Sequence, residues 1–223
     1  KGVTIALIDG EVDTTVPELA GATIIDKSPC TVTSSPFSKT HGTAIASLLV
    51  SKTYGVAPDA TLLTYRTSRA DDGDESGNEC AFRNGNPIED PTSLINRAIS
   101  DGAQIISISS SDENFDDATK WAIARANALG VIVLSPMGND AKDETNNGYS
   151  KWSGVVGAGA IDTTGKVADY SSWGQGTTTA AVGGPIIVRN YETGNKAAAD
   201  GTSYSTPLIA GFLALAKQKW PNA

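Results

Sequence analysis

The sequence predicts an α/β fold of three layers, a mainly parallel central sheet with helices on both faces. Three observations carry this. Apolar runs of strand length alternate with segments of helical spacing, in the order strand, helix, strand, helix, strand. The runs Val3–Ile8, Gln104–Ile108 and Val131–Leu134 are near-continuously apolar, as strands covered on both faces are. Gly102 and Gly130 stop the helical patterns just before the next strand begins. At 223 residues the chain can bury one good core and reads as a single domain, 1–223.

Taken in order, the first strand ends at Asp9-Gly10, and Thr15–Leu19 reads as a short turn or helix. Residues 27–40 read as a polar loop. Thr40 is the expected N-cap of a helix starting at His41, with Ala44, Ile45, Leu48 and Leu49 toward the sheet. Gly55–Ala60 leads into a strand, Thr61–Tyr65. The stretch Arg69–Pro91 is the least regular, with Asp71, Asp72, Asp74, Glu75 and Glu79 among glycines and asparagines, and reads as a solvated acidic loop. Asp90-Pro91 opens a helix over Thr92–Ser100. After the strand Gln104–Ile108 come Ser109, Ser110 and Ser111, then a helix spaced on Phe115, Ala118, Ala122, Ala126 and Leu129. The strand Val131–Leu134 runs into Ser135-Pro136-Met137-Gly138-Asn139. An asparagine-rich loop through Gly148 leads to the strand Gly154–Ala158, and Leu208, Ile209, Gly211, Phe212, Leu213 and Leu215 read as a buried helix.

Composition narrows the function classes. Lys plus Arg number 17 against 25 Asp plus Glu, a net charge of −8, which argues against nucleic acid and anionic membrane as partners. No run of about 20 apolar residues is present to span a bilayer. The first strand begins almost at Lys1, without a signal peptide, as in a mature or trimmed chain. Cys30 and Cys80, the only cysteines, both fall in polar loops, which suits a disulfide and an oxidising compartment. Such a bridge would close a loop of about 50 residues and add roughly 4 kcal/mol. There are no internal repeats.

The chemistry converges on three side chains. Ser203 stands in Gly201-Thr202-Ser203 at the start of the last helix, where unpaired backbone N–H groups and the positive dipole end favour negative charge. Pro207 cannot donate to the Ser203 carbonyl, four residues back, so that turn is loosened. A serine hydroxyl needs a base, and the chain contains one histidine, His41. The base needs a carboxylate to hold its tautomer, and Asp9 sits at the tip of a buried strand, where open α/β sheets place their sites.

Ile5–Gly10, His41-Gly42-Thr43, Gly138-Asn139 and Gly201-Thr202-Ser203 with Pro207 resemble the four signature blocks of the subtilisin-like serine proteases, in the order Asp, His, Ser that marks that family. The resemblance spans nearly the whole chain. It implies a serine endopeptidase in which Ser203 is the nucleophile, His41 the base, Asp9 its orienting acid and Asn139 a donor to the oxyanion. It further implies a pocket for the residue before the cut, walled by Ser109–Ser111 and Pro136–Gly138. The three serines, with Pro136 and Met137, suggest small or medium side chains there. The substrate would be a peptide or protein, and the enzyme a secreted monomer needing no cofactor and released from a pro-segment ahead of Lys1.

Three departures accompany the resemblance. The family places Ser or Thr after the aspartate, with its hydroxyl on the carboxylate; here that position is Gly10. The loop that carries calcium in many relatives is short, with only Ser51–Tyr54 before Gly55, so no metal is expected. The chain stops soon after the serine helix, as a compact member or trimmed core would. The rivals are a peptide-processing acyl transferase or macrocyclase using the same residues, a non-catalytic peptide-binding relative, and a sedolisin-type protease with a glutamate base.

Overall fold

The computed structural model describes residues 2–28, 35–67, 90–109, 116–145 and 148–221, together with the backbone of 82–83 and 86–87. Cys30, Cys80, Ser110, Ser111, Phe115 and the acidic stretch 71–79 lie outside the described residues, and so does the expected disulfide. The strands are β1 (Thr4–Asp9), β2 (Thr23–Asp26), β3 (Thr61–Arg66), β4 (Phe82–Arg83), β5 (Asn86–Pro87), β6 (Ile105–Ile108), β7 (Ile132–Pro136), β8 (Val155–Ile161), β9 (Thr177–Val182), β10 (Ile186–Arg189) and β11 (Lys196–Ala199). The helices are α1 (Pro36–Val50), α2 (Pro91–Ser100), α3 (Asp117–Ala128) and α4 (Thr202–Lys219).

Seven strands form one sheet in the order β2-β3-β1-β6-β7-β8-β9, every neighbouring pair parallel. The fold is therefore the three-layer α/β arrangement that the apolar runs predict. The alternation within β1 separates its two faces. Ile5 and Leu7 join Ile45, Leu49, Leu134 and Ala210 in one core, against α1 and α4. Ala6 and Ile8 join Leu94, Ile95, Ile106 and Ile123 in the other, against α2 and α3. With a side-chain period of two, Asp9 follows Ile5 and Leu7 onto the α1/α4 face. The chain leaves β1 for β2 and β3 on one side and then crosses from β3 to β6 on the other, so the direction of strand addition reverses at β1, where sites of open α/β sheets lie.

Three local expectations are corrected. Helix α1 begins at Pro36, not His41, because Ser35-Pro36 is the better start signal. The Ser35 hydroxyl accepts from Ser38 N–H at 3.1 Å, and Pro36 fits a first-turn position whose N–H would be orphaned anyway. Thr40 is thus inside the helix, where its hydroxyl donates to the Pro36 carbonyl and accepts from Tyr191 N–H. The buried stripe of α3 is Thr119, Ala122, Ile123 and Ala126, leaving Ala118 and Leu129 exposed. In α4 the buried residues include Ile209, Ala210, Gly211 and Ala214, while the helical turn carries Phe212 and Leu215 to the solvent side, 67% and 44% exposed. The edge strand β2 and the β10–β11 hairpin are short, and neither is marked by periodicity.

Candidate active site

The tip of β1 and the second turn of α1 meet. His41 Nδ1 donates to Asp9 Oδ1 at 2.8 Å, and Gly10 N–H donates to the same oxygen at 2.6 Å. Asp9 is 3% exposed, and its Oδ2 is buried without a partner. Two glycines permit this approach. A Cβ on Gly42 would stand 2.6 Å from the Gly10 carbonyl oxygen and 2.7 Å from that of Glu11. A Cβ on Gly10 would collide with the Ser38 carbonyl oxygen and hydroxyl. The first turns of α1 therefore lie directly on the backbone that follows Asp9. Gly10, the departure from the family pattern, is a condition of that contact rather than a simple loss.

The His41 ring lies between Phe37, stacked at 6.4 Å between centroids, and Tyr204, tilted at 5.6 Å. Tyr204 immediately follows Ser203, so the imidazole is packed against the start of α4. Burial, and then the charges of Asp9 and Asp200, push the Tyr204 phenol up to about 12. Ser203 is half-buried in the first turn of α4. Its hydroxyl makes no hydrogen bond to His41 among the described residues. Behind it, Pro207 leaves the Ser203 carbonyl without its intrahelical donor, and the Ser205 and Thr206 hydroxyls both donate to the Thr202 carbonyl, at 2.8 and 2.9 Å.

Asn139 is fixed by Thr202, which is fully buried. Its Oδ1 accepts from Thr202 N–H at 2.8 Å and from the Thr202 hydroxyl at 2.9 Å, and that hydroxyl accepts from Gly138 N–H at 3.2 Å. With Oδ1 spent on Thr202, the Nδ2 donors remain, and they lie beside Gly201, 3.3 Å from where its Cβ would be. The end of β7 and the start of α4 are thereby clamped together. Of the expected pocket walls, Ser109 and Met137 are each 3% exposed. The Met137 side chain packs toward Gly157, whose missing Cβ leaves room for its sulfur, and Met137 N–H donates to the Ala158 carbonyl.

Sequence reasoning missed Ser38 and Tyr204, and it named Gly42 and Thr202 only as members of their blocks, without the contacts that make them informative. It also missed Glu144, 8% exposed, whose Oε1 pairs with Lys142 at 3.1 Å and whose Cγ lies beside Gly138. Among the described residues no cluster of three or more His, Cys, Asp or Glu is placed to hold a metal, and no helix is long and apolar enough to cross a membrane.

Comparison with known proteins agrees with this fold. The sequence profile described as Subtilase family, Peptidase_S8, matches residues 1–223. The thermostable alkaline protease of Halalkalibacterium halodurans is 29% identical over 188 residues, covering 82% of this chain and 48% of that protein. Subtilisin E of Bacillus subtilis is 28% identical over 239 residues, covering 100% of this chain and 58% of that protein. The chain thus spans about half the length of the curated relatives it matches. Among solved structures, the protease domain of PatA superposes with a TM-score of 0.80 at 24% identity, covering 98% of this chain and 81% of that one. The prenylagaramide maturation protease PagA gives 0.75 at 25% identity, covering 98% and 77%.

Proposed function

From the premise that the chain belongs to the subtilase family, we propose that it is a serine endopeptidase acting through Asp9, His41 and Ser203. The observation that carries this reading is the 2.8 Å contact between the sole imidazole and a buried carboxylate, with the imidazole packed against the residue next to Ser203. The Asp9 contact holds the Nδ1 proton and leaves Nε2 as the base. His41 takes the Ser203 proton as its oxygen attacks the peptide carbonyl, then delivers that proton to the leaving amine. The developing oxyanion is held by the Ser203 backbone N–H and the Asn139 Nδ2, and the α4 dipole favours the same charge. Water, activated by His41, then hydrolyses the acyl-enzyme. The resemblance assigns Ser109–Ser111 and Pro136–Gly138 to the walls of the pocket for the residue before the cut. The same reading takes the enzyme as an extracytoplasmic monomer acting on peptides or proteins after loss of a pro-segment, and none of these steps requires a cofactor.

The test is labelling with a fluorophosphonate followed by peptide mapping. Ser203 is expected to carry the label, Ser203→Ala and His41→Ala to abolish it, and each cut to add one water to the summed mass of its two products. A wild-type chain that stays unlabelled overturns the reading in favour of a peptide-binding relative. A second reading, cleavage or joining of peptide precursors, is favoured by the likeness to PagA, itself a maturation protease. Joined or circular products, lighter by the absent water, distinguish it.

A further inference from the structure

Both donors to Asp9 end on one oxygen. Gly10 N–H and His41 Nδ1 share Oδ1, at 2.6 and 2.8 Å, while Oδ2 is buried and unpartnered. A buried carboxylate oxygen without a donor is costly, and two donors on Oδ1 leave the carboxylate free to swing about its Cβ–Cγ bond. The nearest turn of α1 carries an unused hydroxyl. Ser38 is buried, 7% exposed, and sits three residues before His41, on the same face of the helix. Its hydroxyl presses on Gly10, filling the space a side chain there would occupy, and it donates to no other group among the described residues.

We propose that Ser38 is a positioning residue for Asp9, its hydroxyl rotating to donate to Oδ2 and so locking the carboxylate against His41. The hydroxyl is delivered from α1 instead of from position 10, on the same turn as the base it serves. The inference rests on the reading of Asp9 and His41 as catalytic partners. A competing donor exists on β6. Ile8 pairs with Ile108, which sets Ser109 beside Asp9, and the Ser109 hydroxyl is also buried without a partner. Ser38 is preferred because the contact with Gly10 fixes it to the residue that already bonds Oδ1, so one helix turn moves base and support together. The other charged or titratable groups around this pair are Glu11, Arg66 on β3, Lys39 on α1 and Tyr204 on α4, and they are unchanged in the variants below.

Because His41 is the only histidine, its imidazole gives a single titrating Cε1–H signal in a proton NMR spectrum. A carboxylate that has lost a donor pulls harder on the imidazolium proton. In Ser38→Ala the His41 midpoint is therefore expected to rise by about half to one pH unit. The acid limb of kcat/KM should follow it, with kcat down about tenfold and KM unchanged. Ser38→Thr, which keeps the hydroxyl, should restore the wild-type midpoint. A wild-type midpoint in Ser38→Ala overturns the proposal, as does a shift that appears in Ser109→Ala and not in Ser38→Ala. A shifted midpoint in a chain that hydrolyses nothing leaves the positioning intact and sinks the protease reading instead.

Discussion

The two helical layers that cover the sheet are built to different rules. Helices α2 and α3 follow local propensity. Each begins at an aspartate whose carboxylate accepts the N–H three residues on, Asp90 from Ser93 at 3.1 Å and Asp116 from Thr119 at 2.8 Å. Their patterns stop at Gly102 and Gly130, with φ of 85° and 73°. Helix α1 is capped in the same way by Ser35, but it and α4 depend far more on packing. Every residue of α1 from Gly42 to Val50 is buried, α4 has no side-chain cap, and its first turns hold Pro207 with two hydroxyls bonded back to the Thr202 carbonyl. Tertiary packing supplies what propensity does not, and the gain is position. Packing of this layer brings the His41 ring against Tyr204, the residue next to Ser203.

The largest effect should come from breaking that layer's chemistry without touching its packing. Ser203→Ala and His41→Ala are each expected to lower kcat on the order of 10⁴-fold or more, with thermal stability near wild type. Lys120→Ala, at an exposed position in α3, should change neither quantity. Peptide hydrolysis and calorimetry on the three variants decide it. Equal losses in all three would erase the distinction between the layers.

Glycine substitutions come next. In Gly42→Ala the new methyl meets backbone oxygens that cannot turn aside, so a cost of about 1–3 kcal/mol is expected, or about 2–4 °C of Tm per kcal/mol. Activity should fall as well, because α1 is pushed off Gly10 and Glu11. Gly130→Ala meets nothing within 4 Å and costs only its left-handed backbone, about 1 kcal/mol, with kcat unchanged. A Gly42→Ala enzyme of wild-type kcat would show that the approach of α1 is not what sets His41.

These differences also explain what the sequence made legible. The parallel sheet was readable because Ile5–Ile8, Ile105-Ile106 and Val133-Leu134 are apolar whichever face they take. Helices α2 and α3 were readable from Asp90-Pro91, Gly102 and Gly130, signals that act over three or four residues. Asp9, His41 and Ser203 stood out through one rare residue type and through blocks resembling a known family. The start of α1 was misplaced because the polar run 27–40 hides Ser35-Pro36. Ser38 was invisible, and Thr202 visible only as a member of its block, because their importance lies in contacts with Gly10 and Asn139, 28 and 63 positions away. Periodicity reports a face, and such contacts depend on which two faces meet.

Each layer also holds a tyrosine–aspartate pair, and pH separates them. In the site layer, Tyr191 donates to Asp13 at 2.7 Å, and burial, then Asp13, push its phenol up to about 12. In the other, Tyr65 donates to Asp101 at 2.8 Å, and burial, then Asp101, push it up as well. A raised phenol contributes stability that is complete below pH 10 and is lost as pH rises, for Tyr191 through about 12. Burial raises Asp13, but its bonds from Thr15 and Tyr191 outweigh this and hold it at about 2. Its contribution is complete above pH 3.8 and is lost as pH falls through about 2. Tyr191→Phe should therefore flatten the alkaline loss and also shrink the acid loss, which then ends at a higher pH, while Tyr65→Phe acts at the alkaline end. Urea unfolding across the pH range reads both, and an unaltered acid limb in Tyr191→Phe would contradict the pairing.

The smallest effect separates the layers most finely, because it holds the chemistry of the change constant. Ser35 caps α1 by accepting from Ser38 N–H at 3.1 Å, and Asp116 caps α3 by accepting from Thr119 N–H at 2.8 Å. Removing either side chain should cost about 1 kcal/mol of stability, since each leaves one first-turn donor unpaired. The consequences for catalysis should differ. Fraying at Ser35 loosens the turn that holds Ser38 against Gly10 and sets His41 on Asp9, so Ser35→Ala is expected to lower kcat by a few-fold beyond what its stability loss explains. Fraying at Asp116 loosens a turn that touches none of Asp9, His41, Asn139 and Ser203 among the described residues, so Asp116→Ala should leave kcat at the wild-type value. Measuring both well below Tm removes the trivial contribution of unfolded enzyme. If the two variants then lose activity equally, the first turn of α1 is an ordinary helix end, and the registration of His41 must come from the body of the helix.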